Sequence, residues 1–457
     1  MPDILNSQNL KNIAKGLLLL QIFLITWLCS GTRVEHLMPM FYVSSILFAL
    51  STISDPDFGR NIFQKTLFFS IIIFSIIATI QYANPFAEHI YEEKYNYIKN
   101  LEHISWLPTS VIGEFSDGNP MRSICVLLTS FLTVISAISL FRERRFARLA
   151  LIAFALNSTL MAIFAIYQDS AGFSAPYNSV YSTSLFYGTF FLSNAAGAFL
   201  NMGMSACFAL SIIFAKKNTF NGRILSLLWF LCAITNAISV YISESNAAII
   251  LCIFLAGCFL LYIFWEIMSR AVSAKTAAAI LIFLSAIPSI IAIDYVVEAN
   301  INTRRGREIK NSTLGRLVFY EASMKIISEN PLWGIGGECS RYVLPNKLSD
   351  IKNKNNGLPL FPDRPHSDVI EYAVDYGIFG ISLLAACAVA WLTAIWRRRK
   401  KLNSANIFLF LGVITCLAHG SFDMELHIPS TMIAFGLLSV WSFSELIVRR
   451  HSHGKSW

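Results

Sequence analysis

Residues 247–268 read AAIILCIFLAGCFLLYIFWEIM, twenty-two positions with one charged side chain, Glu266, near the end. A helix needs about 20 mainly apolar residues to cross roughly 30 Å of hydrocarbon, so this stretch alone predicts a membrane span. Working outward, similar runs recur at approximately 13–30, 37–53, 66–83, 121–141, 149–168, 189–215, 224–243, 276–295, 377–396, 403–419 and 430–448. The reading is therefore an all-α polytopic membrane protein with twelve spans. Composition agrees: of 457 residues 55% are hydrophobic and only 14% charged, where soluble domains carry about a quarter.

In such a chain the net charge of +8 is a topology signal. Of 36 Lys and Arg, 21 fall on segments that share a side with the N-terminus, 4 on the short opposite loops, and 11 in one long loop, 296–376. The expectation is that both termini are cytoplasmic and the long loop faces outward. Three parts follow: a nine-span membrane domain (1–295), the loop with short helices and the candidate active site (296–376), and a three-span segment with a cytoplasmic C-terminus (377–457). No basic stripe with interleaved aromatics is present, which excludes nucleic acid as a partner. The first apolar run reads as an uncleaved anchor, since Trp27 and Leu28 are too large for a cleavage site.

Cysteines and ionisable residues exclude further classes. Eight of nine cysteines lie in or beside apolar runs, and only Cys339 falls in the polar loop, where it is expected to be exposed. No CxxC or Cys/His spacing offers a metal site. Ionisable residues within the spans, such as Glu244, Glu266, Asp294 and Glu445, sit near span ends. Span centres carry amides, such as Asn157 and Asn236, which read as helix-to-helix hydrogen bonds. A proton or ion relay needs more than this. A transporter or flippase for lipid-linked oligosaccharide remains the alternative, although the halves show no internal repeat.

Chemistry is thus expected outside the hydrocarbon. Residues 84–120 mix Glu88, Glu92, Glu93, Lys94 and Lys99 with tyrosines and predict an interfacial amphipathic helix. In the long loop, Ser312 or Thr313 is placed to cap a helix running to about Glu329, with Arg316, Tyr320 and Ser323 on one face. The glycines of 334–337 predict a close backbone approach. After 362–368, Pro-Asp-Arg-Pro-His-Ser-Asp, a second helix enters the tenth span. Its Asp368, Glu371, Tyr372 and Asp375 read as a solvated face.

These motifs resemble the O-antigen ligase and O-antigen polymerase superfamily. The carriers are Asn330-Pro331-Leu332-Trp333-Gly334-Ile335-Gly336; His366 with Tyr376-Gly377-Ile378-Phe379-Gly380; His419-Gly420-Ser421-Phe422-Asp423 through His427-Ile428-Pro429; and, upstream, Tyr187-Gly188-Thr189-Phe190 through Asn194 and Asn201. The resemblance covers about residues 180–440. It implies a GT-C-like integral-membrane glycosyltransferase of the bacterial inner membrane, inverting, free of metal and cofactor, with its site facing the periplasm. The implied donor is a glycan on undecaprenyl diphosphate and the acceptor a sugar hydroxyl on a second lipid-linked molecule. Membrane lipids and a chain-length regulator complete the implied partners, and the pathway is that of lipopolysaccharide or exopolysaccharide.

Residue chemistry suits these roles. An alcohol nucleophile needs a base that titrates near neutrality, which fits His366. A departing diphosphate needs cations, which Arg316 and Arg364 can supply. Asn194 is a further candidate for substrate binding. Asp423 either orients His366, touches substrate or caps the last span. The family usually has arginine where this chain has Ser193 and Asn246, and asparagine where it has Ser367. Either Arg304, Arg305 and Arg307 substitute for the two cations, or they hold lipid headgroups and donor binding is weaker.

Overall fold

The computed structural model describes residues 7–92, 95–178, 186–217, 219–271, 304–348, 362 and 364–446. Among these the chain is a polytopic helical membrane protein with thirteen α-helices. Nine helices are long and apolar enough to cross a membrane: α1 (Ser7–Trp27), α2 (Val34–Ser54), α3 (Ile62–Ala83), α4 (Pro120–Leu140), α5 (Arg144–Ser170), α6 (Ser193–Ala215), α7 (Phe220–Ile242), α8 (Asn246–Ala271) and the helix beginning at Asp368. The expected span 276–295 lies outside the described residues. The last two apolar helices, Ser404–Gly420 and Pro429–Ser442, are shorter, at 17 and 14 residues.

Helices α4 and α6 are buried on nearly every side and form the centre of the bundle. Small residues allow this: a Cβ on Gly203 would collide with Ser158 of α5, and one on Gly197 with Ala248 of α8. By contrast α3, α7 and α8 leave Ile72, Ile73, Leu227, Leu228, Ile253 and Phe254 exposed, the apolar face a lipid-embedded helix presents. The two central amides bond between helices. Trp27 Nε1 donates to Asn157 Oδ1 at 3.2 Å, and Asn236 Oδ1 accepts from Ser158 Oγ at 2.7 Å.

One end of the bundle carries the polar segments. Residues 84–120 depart from the expected helix: β1 (Pro85–Glu92) and β2 (Tyr95–Asn100) form an antiparallel hairpin in which Glu88 faces Lys99, and β3 (Ser110–Ile112) runs parallel to β1. Pro85 starts the strand, and the Ile- and Tyr-rich run 90–98 favours cross-strand pairing over a helical face. Helix α9 (Arg304–Glu329) begins earlier than Ser312, which lies in its interior, because no proline interrupts 304–329. It is followed by α10 (Ser340–Lys347), α11 (Asp368–Arg398), α12 (Ser404–Gly420) and α13 (Pro429–Ser442).

Helix α11 breaks at Gly377, at φ 60° and ψ −157°. A side chain there would strike the Leu332 carbonyl. The turn 330–337 docks on this break: Ile378 N donates to Pro331 O at 2.9 Å, Gly336 N donates to Asp375 O at 3.0 Å, and Trp333 stacks on Phe379 at 4.3 Å. The close approach expected of the glycines is thus to α11, where a Cβ on Gly334 would collide with the Val374–Asp375 backbone. Ala87, Val111, Ile326, Ile335, Leu344 and Val374 close a small second core around Cys339. That cysteine is buried, contrary to expectation, its thiol donating to Val111 O.

Candidate active site

The short segment that leads into α11 sets the geometry. His366 holds a left-handed backbone, φ 57°, between Pro365 and Ser367, a conformation costly for a residue with a side chain and sustained only where neighbours enforce it. Tyr320 Oη of α9 donates to the His366 carbonyl at 3.1 Å, and the Phe319 ring stacks on the imidazole at 6.0 Å between centroids. The imidazole is thereby delivered to Asp423 on the turn joining α12 to α13. Nδ1 lies 3.2 Å from Asp423 Oδ1.

Asp423 is buried and saturated. Its Oδ1 also accepts from Met424 N at 3.0 Å; its Oδ2 accepts from Asn194 Nδ2 and lies 3.6 Å from Arg316 Nη2. Burial alone would raise this carboxyl, but the His366 hydrogen bond, with His419 and Arg316 nearby, outweighs it and holds the group below the usual carboxylate range. The structure brings His366, Asp423, Asn194 and Arg316 together. Of the roles read for Asp423, contact with His366 is the one the geometry displays: α13 has no side-chain cap.

Arg364 was expected to face a diphosphate and does not. Buried, it contacts Glu371 at 2.5 Å and Glu338 at 3.5 Å. Glu338 in turn pairs with Arg122 of α4, whose other guanidinium nitrogen donates to Thr32 O. Burial would raise the Glu338 carboxyl, but Arg122, Arg364 and Arg341 together hold it below its ordinary value. Arg364 thus anchors the His366 segment to the bundle. Arg304 and Arg305 fall in the first turn of α9, where side chains are outside the described residues.

The face read as solvated is instead interior. Asp368, Glu371, Tyr372 and Asp375 are all buried, because the 330–337 turn and the 421–428 turn cover that side of α11. Asp368 organises the second turn. Its backbone N donates to Asp423 O at 3.0 Å, its carboxylate accepts from Leu426 N at 2.9 Å, and His427 Nδ1 lies 2.9 Å from Oδ1. A Cβ on Gly420 would collide with that carboxylate, so the position needs glycine.

A cavity of about 80 Å³ opens beside His366, lined by Ser193, Asn194, His366, Asp423, Glu425 and Ile428 among others. His419 opens one of the motifs that carry the resemblance but was given no role, and Glu425 carried no sequence signal beyond its proximity to Asp423. Both are 1% exposed, and burial with Asp423 and Asp368 nearby pushes the Glu425 carboxyl well up. Among the described residues two buried groups place metal-ligand atoms within 4.8 Å of one another: Glu371, Asp375 and His427, and His419, Asp423 and Glu425.

A histidine in contact with a buried carboxylate, beside a small cavity at the end of an apolar bundle, is an arrangement that can perform transfer to an alcohol. Residues 231–385 match the Wzy_C family model, described as O-antigen ligase. The match begins in α7 and ends in α11, so it contains Arg316, Arg364 and His366 and stops short of Asp423. No curated protein matches the chain.

Proposed function

We propose that this protein, whose residues 231–385 match the O-antigen ligase family model, is a member of the O-antigen ligase and polymerase superfamily and moves a glycan from undecaprenyl diphosphate to a sugar hydroxyl of a lipid-linked acceptor, with inversion. The observation that carries the reading is the 3.2 Å contact between His366 Nδ1 and buried Asp423. With Nδ1 engaged by the carboxylate, Nε2 is the nitrogen that takes the acceptor proton. The acceptor oxygen then bonds to the anomeric carbon as the bond from that carbon to the diphosphate oxygen breaks. Undecaprenyl diphosphate departs, and Arg316, 3.6 Å from Asp423, meets its developing charge. Asn194 holds Asp423 in place.

In this reading the loop 296–376 is the catalytic part, seated between the membrane segments 1–295 and 377–457. The bias of Lys and Arg supports an inner-membrane protein with cytoplasmic termini and a periplasmic site. Reconstitution with undecaprenyl-diphosphate glycan tests it, with lipid A core and a second donor molecule offered as competing acceptors. Wild-type protein consumes donor and extends one acceptor, whereas His366→Ala expresses normally and leaves donor intact. Equal turnover by the variant would remove His366 as the base. A flippase would instead strand donor on the cytoplasmic leaflet, so the leaflet that holds accumulated donor separates the classes.

A further inference from the structure

Helix α11 is fastened at both ends and stands away from its neighbours in between. Its backbone lies along α3 and runs clear of α4, α12 and α13 over most of its length. At the foot, Trp391 Nε1 donates to Ser439 O and Ser442 Oγ of α13, each at 3.1 Å, and the ring stacks on Phe410 of α12. Near the head, Tyr372 Oη donates to Leu426 O at 3.1 Å. Between these fastenings lies a cavity of about 350 Å³.

One side of the cavity is a single helical face. Ile381, Leu384, Ala385, Ala388 and Trp391 recur at the three- and four-residue spacing that puts side chains on one stripe of α11, while Leu67, Phe131 and Met432 come from α3, α4 and α13. The two alanines leave room that larger side chains would fill. Val369 and Leu417 line the cavity and are also exposed, so it opens sideways between the outer ends of α11 and α12, where a membrane helix meets hydrocarbon and not water. An apolar cavity of about 150 Å³ takes benzene, so this one takes roughly fourteen carbons. That is one fatty acyl chain, and only a fraction of a polyprenyl chain. Among the described residues of the wall, Asp368 is the one charged side chain. A diphosphate entering there would meet a carboxylate without a cation.

We propose that this crevice binds one fatty acyl chain of a zwitterionic glycerophospholipid of the phosphatidylethanolamine type, drawn from the leaflet on the His366 side. A headgroup without net negative charge tolerates Asp368, whereas a diphosphate needs cations. The chain packs against Tyr372 and Leu426, whose hydrogen bond ties α11 to the turn carrying Asp423. Asp368, at the same end, donates its backbone N–H to Asp423 O. Bound lipid therefore props the turn that contacts His366. No step of glycan transfer enters the inference, so it stands or falls apart from the transferase reading.

The test uses full-length protein in nanodiscs containing phosphatidylethanolamine with a diazirine at the end of one acyl chain. After irradiation, labelled peptides are located by mass spectrometry. The expected result is labelling within residues 381–391 and 432–439 that falls about tenfold in Ala385→Phe and Ala388→Phe, whose rings take the chain's place. Labelling at Leu227 and Leu228, on the lipid-exposed face of α7, should not change. In parallel, delipidated wild type in detergent should gain Tm when phosphatidylethanolamine is added, and the two variants should gain less. Should Ala385→Phe fail to fold, Ala388→Phe carries the comparison, with Ser130→Leu filling the crevice from α4. Absent labelling in the crevice, or equal labelling in wild type and variants, overturns the site. Equal labelling by a phosphatidylglycerol probe overturns the headgroup, and stronger labelling by a polyprenyl-diphosphate probe overturns the occupant.

Discussion

His366 and Asp423, 57 residues apart in the chain, meet at 3.2 Å between Nδ1 and Oδ1. Through this contact the carboxylate fixes both ring orientation and tautomer. Asp423→Asn keeps the volume but removes the charge that stabilises a protonated ring. Glycan transfer should fall by about 10²–10⁴-fold in single-turnover assays, with donor KM little changed. A loss expressed mainly in KM would make Asp423 a substrate ligand instead.

Tyr320 acts on the same histidine from behind, through the 3.1 Å hydrogen bond to its carbonyl. Tyr320→Phe removes only that bond. A neutral hydrogen bond contributes about 1 kcal/mol, so kcat should drop roughly fivefold while Tm moves little. Wild-type kcat in the variant would show that Phe319 and the chain itself suffice to hold the left-handed backbone.

The Arg122–Glu338–Arg364 chain makes stability depend on acid. Glu338 titrates below its ordinary 4.5 in the folded protein, so its contribution is complete above that pH and is lost as pH falls through the lower folded value. Melting in detergent should show an acid limb below about pH 4.5. Glu338→Gln should flatten that limb and cost about 3–5 kcal/mol near neutrality, since both arginines lose a buried partner. An unchanged acid limb would assign the effect to other carboxyls.

Gly420→Ala tests the packing of the 421–428 turn. The new methyl would occupy the place of the Asp368 carboxylate, and overpacking of this kind costs about 1–3 kcal/mol. Because Asp368 also fixes Asp423 O and Leu426 N, transfer should fall more than Tm does. Alanine at the solvent-exposed Ser421 is the control and should behave as wild type.

Spans were legible because hydropathy is a local property: the described helices follow most of the apolar runs. His366 was legible too, flanked by Arg364-Pro365 and Ser367-Asp368 in a polar stretch. Asn194 with Asp423 was not, because a hydrogen bond across 229 positions leaves no local trace. Arg364 misled for a physical reason: an arginine beside a catalytic residue resembles an anion ligand until its buried partners, Glu338 and Glu371, are located. Asp368 and Glu371 read as solvated because their spacing marks a helical face, whereas what covers that face comes from two distant turns. The hairpin 85–100 was missed because its charges suggested a surface helix, while Ile90, Tyr91, Tyr97 and Ile98 favoured strand pairing.

The turn carrying Asp423 joins the last two helices, α12 and α13. Synthesis runs from the N-terminus, so Asn194, Arg316, Tyr320 and His366 all emerge before the carboxylate that organises them. A partly made chain can therefore anchor in the bilayer and still lack the carboxylate that holds His366 Nδ1. On the transferase reading, this order of synthesis keeps lipid-linked donor from being consumed before the final hairpin is in place.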